Sequence, residues 1–138
     1  MSRLEVQVAH VRLVTEARVA VDALQVTARN LEGKTMKLIG CAVVPPFGLR
    51  INSDPPVLAY PYELESGAQC ADRFDCRVLA KLAREAACEG RIELDAMFLE
   101  AGGFDEARFA RRLPSTMKTA PGVEHRSAPF VFDLDRWT

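Results

Sequence analysis

Residues 19–44 decide the fold class, and they read VAVDALQVTARNLEGKTMKLIGCAVV. Apolar and polar residues alternate on both sides of a short break at Asn30-Leu31-Glu32-Gly33. Alternation with a period of two around a turn that contains glycine is typical of two antiparallel β-strands. This stretch therefore predicts a β-hairpin, whose second strand runs from Met36 to Val44.

The alternation changes phase at two places in the N-terminal strands. Leu4 and Val6 have one parity, whereas Val11 and Leu13 have the other. A second change of phase lies at Asp22-Ala23. Such a change is typical of a β-bulge or of a strand that crosses from one sheet to another. We therefore expect one of these two features at each place.

One segment has a helical period instead. Its apolar residues share one face of a helix at about 76–89, and they are Val78, Leu79, Leu82, Ala83 and Ala86. Asp75 is a residue type that caps helix N-termini, and Gly90 is a residue type that ends helices. The sequence thus predicts one short helix between these two residues.

The rest of the chain predicts further strands. Together the patterns predict a mainly β fold, an immunoglobulin-like antiparallel β-sandwich of about seven strands with one short crossing helix. The length of 138 residues and the 49% hydrophobic content predict a single domain over residues 1–138. A loop insertion is expected at about 104–121, where Pro114 and Pro121-Gly122 interrupt the periodicity.

Composition narrows the classes of partner and location. The formal net charge is −1, so no basic field favours nucleic acid as a partner. No segment approaches the ~18 apolar residues that a membrane span requires, so we expect no membrane association. Charged and polar residues interrupt the N-terminal stretch Met1–Val6, which predicts no signal peptide and a cytoplasmic protein.

The four cysteines do not have a metal or redox spacing. Cys41, Cys70, Cys76 and Cys88 form no Cys-x-x-Cys pair. Buried, reduced thiols are the favoured interpretation. The alternatives are a Cys70–Cys76 disulfide and a metal site built from distant residues. We therefore predict no metal and no cofactor.

Three stretches carry a resemblance to a known group of proteins. They are Val26–Leu31, Tyr62–Gly67 and His125–Phe132. They resemble the strand and turn motifs of small uncharacterised bacterial or phage-associated immunoglobulin-like β-sandwich proteins. The resemblance implies the fold and a bacterial source, and it implies no catalytic residues. The chain departs from that pattern at residues 104–121, where the final connection is usually tight.

The candidate binding residues lie in this same insertion. Arg108, Arg111 and Arg112 are interleaved with Phe104 and Phe109. Guanidinium groups beside aromatic rings suit phosphate contacts and stacking. The alternative is a solvated helix face whose two phenylalanines pack into the core, and the near-neutral net charge favours this alternative.

Two hypotheses of function follow. The favoured one is a non-enzymatic binding or assembly module that uses a sheet face, a sheet edge or the 104–121 loop. Its partner would be a protein or a second copy of the chain, in a homodimer. The alternative is a small enzyme or ligand-binding sandwich with a pocket near His125 or Cys70.

No catalytic residue is assigned. His125 follows Glu124 directly, and neighbouring residues on a strand point to opposite faces. These two side chains are therefore not expected to form an acid–base pair, and we expect His125 to be a solvated residue at the start of a strand.

Overall fold

The computed structural model describes residues 3–46, 50–53, 56–101 and 122–137. These residues form nine strands, one α-helix and a final 3-10 helix at Leu134–Trp137. The strands are β1 (Leu4–Val14), β2 (Ala20–Asn30), β3 (Met36–Val44), β4 (Ile51–Asn52), β5 (Tyr62–Leu64), β6 (Gln69–Asp75), β7 (Arg91–Ala101), β8 (Gly122–Arg126) and β9 (Phe130–Asp133), and the helix is α1 (Cys76–Glu85). The chain is mainly β with one α-helix, as predicted, although it has more than the expected seven strands.

The strands form two antiparallel sheets. The first has the order β1-β2-β6, and the second has the order β4-β3-β7-β8. β5 also pairs with β3, and β9 also pairs with β7. Side chains of both sheets and of α1 form one buried cluster, which includes Leu24, Val26, Leu38, Phe98 and Leu79.

The predicted hairpin between β2 and β3 is wrong. The two strands lie in different sheets, because β2 pairs with β1 and β6 whereas β3 pairs with β4, β5 and β7. Asn30 fixes this crossing: its amide nitrogen donates to the carbonyls of Lys34 (2.8 Å) and Leu64 (2.9 Å). Alternation determines which side chains face the core, but it does not determine which strand lies next to which.

The hairpin of the first sheet joins β1 to β2 instead. Thr15 N donates to Val19 O, and Arg18 turns the chain with a φ of 58°. The register runs without a shift from Leu4 opposite Asn30 to Val14 opposite Ala20. The bulges or sheet crossings expected near the two phase changes are therefore absent from this ladder.

α1 begins as predicted and ends early. Asp75 Oδ1 accepts hydrogen bonds from Arg77 N (2.8 Å) and Val78 N (3.3 Å), so it is the N-cap. The helix ends at Glu85 rather than near residue 89. Ala87 (φ 62°) takes the left-handed conformation just after the helix, and Gly90 (φ 68°), the predicted helix stop, takes it three residues later.

Candidate functional site

The candidate residues of the insertion cannot be placed. Phe104, Arg108, Phe109, Arg111 and Arg112 lie within 102–121, outside the described residues. Recognition through these five residues stays a prediction.

His125 is not the solvated residue that was expected. It lies on β8 opposite Phe98, its side chain is only 2% exposed, and its Nε2 is 2.9 Å from Glu100 Oε1. Glu124 is on the other face, where it contacts Arg50 and Arg126, so the expected separation of Glu124 from His125 is confirmed. The carboxylate partner was missed because it lies 25 residues away in sequence.

The cysteines are free thiols, and most of them are buried. Cys41, Cys70 and Cys76 are buried and Cys88 is half-buried, so the disulfide between Cys70 and Cys76 does not form. Burial, followed by the negative charge of Asp72, raises the pKa of Cys70 to about 11 and the pKa of Cys41 further. These two thiols are protonated at neutral pH and are poor nucleophiles.

Asp72 is a fully buried carboxylate on the core face of β6. Its Oδ2 accepts hydrogen bonds from Tyr60 Oη (2.7 Å) and Ser53 Oγ (3.0 Å). Its Oδ1 accepts from Val57 N (3.0 Å) and Arg73 N (2.8 Å). Burial and the hydrogen bond to Asp72 raise the pKa of Tyr60, which therefore stays a donor. With four donors around it, Asp72 ties the segment before β5 to β6.

Metal ligands and two cavities were compared with the positions that the sequence suggested. No group of three or more His, Cys, Asp or Glu side chains among the described residues could hold a metal ion. One cavity of about 270 Å³ lies between β6 and α1, with Arg73 and Leu82 in its wall. A second, of about 320 Å³, lies beside Pro45 and Pro129. Neither of these two cavities is lined by His125 or Cys70.

The edges of the second sheet are short or broken. On one side, β4 and β5 have two and three residues. On the other side, Ser127, Ala128 and Pro129 interrupt the edge between β8 and β9. There the Ser127 hydroxyl accepts a hydrogen bond from Ala96 N (3.0 Å) in place of a backbone carbonyl. Short strands, bulges and prolines are the usual means by which proteins protect sheet edges.

The β6 edge of the first sheet is protected in another way. Asn30 N donates to Ala68 O in the ladder with β2, so even-numbered residues of β6 bond to β2 and odd-numbered ones face outward. The outward N–H of Arg73 is bonded by Asp72, which also holds Val57 against this edge. At the β6 edge, the inward-pointing carboxylate of Asp72 thus bonds one outward N–H and holds the segment around Val57 nearby.

In the part of the chain that the structure describes, the β1 edge is long and continuous. β1 is an uninterrupted strand of eleven residues, it contains neither proline nor glycine, and among the described strands it pairs with β2 alone. At its two ends, Thr15 N donates to Val19 O and Leu31 N donates to Arg3 O. Odd-numbered residues therefore bond to β2, and the even-numbered residues Val6, Val8, His10 and Arg12 direct their N–H and C=O groups to the open side.

An apolar patch lies beside this edge, on the outer face of the sheet. Leu13 is opposite Val21 and Val11 is opposite Ala23, with the exposed Ala9 next along the strand. The neighbouring Val14, on the other face, is 71% exposed. We call Ala9, Val11, Leu13 and Val21 the outer patch; Ala23 is buried and is not part of it. The phase changes in the sequence indicate this patch. At each of them the apolar side chains move to the outer face, while the backbone ladder continues.

The comparisons with known proteins give no family. No family model, no curated protein and no solved structure matches this chain. In the described part of the chain, α1 has ten residues and no helix is long and apolar enough to cross a membrane. The function is therefore argued from the sheet edges and their surroundings.

Proposed function

We propose that this chain is a non-enzymatic binding module that accepts an extended segment of another polypeptide along β1. The observation that supports the proposal is the eleven-residue edge itself, with the backbone groups of its even-numbered residues directed away from β2. An added strand would bond to these groups as a neighbouring strand does within a sheet.

The outer patch favours a bound segment with apolar residues at alternate positions. Side chains of an added strand lie beside those of β1 on the same two faces of the sheet. Ala9, Val11 and Leu13 would contact them on the outer face, and Val14 would contact them on the inner face. Each cross-strand pair of apolar side chains contributes roughly 0.2–1 kcal/mol. A segment with apolar residues at alternate positions forms several such pairs, and this sum would give the specificity.

We further propose that the fold is an immunoglobulin-like β-sandwich. In such domains, strands A, B and E are neighbours in one sheet and strands C, F and G in the other. The orders β1-β2-β6 and β4-β3-β7-β8 match that connectivity if β1 corresponds to strand A and β7 to strand F. α1 then lies between strands E and F.

To test the proposal, peptides are selected from a random library on the immobilised chain. The selected peptides are then titrated against the wild type and two variants of Arg12. Arg12 is exposed and its N–H faces the open side. Arg12→Pro removes this donor without removing a bond to β2, and Arg12→Ala removes the side chain alone. Peptides with alternating apolar residues should bind the wild type and Arg12→Ala, and binding to Arg12→Pro should fall about fivefold, the effect of one lost hydrogen bond.

Two results would contradict the proposal. One is a library that yields no peptide for the wild type. The other is a set of peptides that bind wild type and Arg12→Pro equally, since these would occupy another surface. Circular dichroism of both variants verifies that the fold is retained.

A further inference from the structure

We infer that the strand accepted by the β1 edge is β1 of a second copy, paired antiparallel about a two-fold axis at Val11. This inference rests on the proposed function, because it requires the same open edge. Its basis is a symmetry in the strand itself. Residues 8–14 read VAHVRLV, in which apolar and basic residues are arranged symmetrically about Val11.

A two-fold interface requires such symmetry. In a two-fold interface, if a residue i of one copy contacts a residue j of the second copy, then residue j of the first copy contacts residue i of the second. With the axis at Val11, Val8 meets Val14, Ala9 meets Leu13, and His10 meets Arg12 of the second copy. Each apolar residue of this stretch therefore meets an apolar residue.

Backbone geometry permits this register. The even-numbered residues face the open side, so they would form the hydrogen-bonded pairs, His10 with Arg12 and Val8 with Val14. The odd-numbered residues would form the closer, non-hydrogen-bonded pairs on the outer face. There the two outer patches would join across the axis, with Val11 against its own copy.

Neighbouring registers fit less well. The backbone parity requires the axis to pass through a residue, so the nearest alternatives are His10 and Arg12. An axis at His10 places Leu13 opposite Gln7 and Val8 opposite Arg12. An axis at Arg12 places this arginine opposite its own copy, and like charges directly opposite each other are destabilising.

The basic pair of the favoured register has a carboxylate nearby. Asp22 lies opposite Arg12 in the β1–β2 ladder, and its Oδ1 is 3.1 Å from His10 Nε2. Each copy brings one Asp22 to the inner face, so His10 and Arg12 of the two copies would meet with two carboxylates beside them. The two arginines of the interface are thus matched by two carboxylates.

The assembly would also be closed. Each copy contributes three strands, which gives the order β6-β2-β1-β1-β2-β6. Both ends of this six-stranded sheet are β6 edges, where Asp72 accepts hydrogen bonds from the outward N–H of Arg73 and from Val57 N. A dimer is therefore expected, and longer assemblies are not.

Sedimentation tests the dimer. The wild type and Arg12→Ala should dimerise with similar dissociation constants, whereas Arg12→Pro should dimerise about 25-fold more weakly. The factor follows from the loss of two symmetry-related hydrogen bonds, each contributing roughly fivefold. A dimer that Arg12→Pro leaves unchanged would use another surface and would overturn the inference.

Cross-linking tests the register. Val11→Cys would place two thiols in a non-hydrogen-bonded pair with Cα atoms ~4.5 Å apart, within the range for a disulfide. Leu13→Cys is the matched control on the same face, because its two copies would be separated by four residues, roughly 14 Å. Under mild oxidation Val11→Cys should form covalent dimers at least tenfold faster than Leu13→Cys and the wild type, whose own cysteines are mostly buried.

The outcomes separate the inference from the proposed function. A monomeric wild type, or equal cross-linking of the two cysteine variants, overturns self-pairing at Val11. In that case the peptide selection alone decides whether β1 accepts a strand. If peptides bind the wild type and Arg12→Pro weakens that binding, the edge accepts a different polypeptide.

Discussion

The two edges of the first sheet differ in how their outward backbone groups are used. At β6, the carboxylate of Asp72 bonds Arg73 N and holds Val57 N against the strand. At β1, a longer strand directs alternate N–H and C=O groups to the open side, and no described strand pairs with them. Among the described residues, a side chain thus bonds an outward backbone group of β6, whereas no strand pairs with the open side of β1.

The largest expected effect is the loss of the protected edge. Asp72→Ala should lower the free energy of unfolding by about 3 kcal/mol, because it removes a fully buried carboxylate that accepts four part-buried hydrogen bonds. It should also promote aggregation by opening a second edge. Denaturant titration measures the first effect and light scattering the second.

Asp75→Ala is the matched control for Asp72. It removes an acidic residue three positions along the chain, but one that caps α1 from the surface. The expected loss is about 1 kcal/mol, with no new aggregation. Equal effects of the two substitutions would contradict the special role assigned to Asp72.

A medium effect is expected at the interrupted edge between β8 and β9. Ser127→Ala should lower the free energy of unfolding by about 2 kcal/mol, since the buried Ala96 N–H loses its acceptor. Ser66→Ala is the control, because its hydroxyl also makes one hydrogen bond, to Glu32 O, but at an exposed turn; it should cost less than ~0.5 kcal/mol. Thermal denaturation compares the two variants, and a stable Ser127→Ala would contradict a structural role for this hydroxyl.

The smallest effect on stability is expected on the outer patch. Val11→Thr keeps a β-branched shape on a half-buried outer position, so stability should change by less than ~0.5 kcal/mol. Dimerisation and peptide binding should nevertheless weaken, because a hydroxyl would enter an apolar contact. Denaturant unfolding measures the stability, and sedimentation of the same sample measures dimerisation. A loss of stability well above ~0.5 kcal/mol would assign Val11 to the core instead.

Local patterns in the sequence predicted the class of fold. Alternation located β2 and β3, and the change to a helical period located α1 with its cap Asp75. Strand partners were not predictable in this way, because Asn30 directs the chain between sheets through bonds to Leu64, far along the sequence. The β1–β2 hairpin was missed since Arg18 supplies the left-handed turn residue where glycine or asparagine is usual.

The candidate site was visible in part. The phase change near Ala9-His10 predicted a β-bulge or a sheet crossing, whereas the continuous ladder shows that it changes the apolar face. The symmetry of residues 8–14 is also a sequence signal. No sequence pattern singles out Asp72, because three of its four donors lie 12 to 19 residues before it, so its effect on the β6 edge required the folded structure.

The claim that β1 is an open edge is tested most directly by residue-resolved amide hydrogen exchange. Measured by NMR at a concentration where sedimentation shows a monomer, Val8, His10 and Arg12 should exchange much faster than their neighbours Ala9, Val11 and Leu13, whose N–H groups bond to β2. Protection of the fast set should rise when the partner strand is added or the concentration is increased. Equal protection of all six amides in the dilute monomer would mean that the chain covers its own β1 edge, and it would contradict this account.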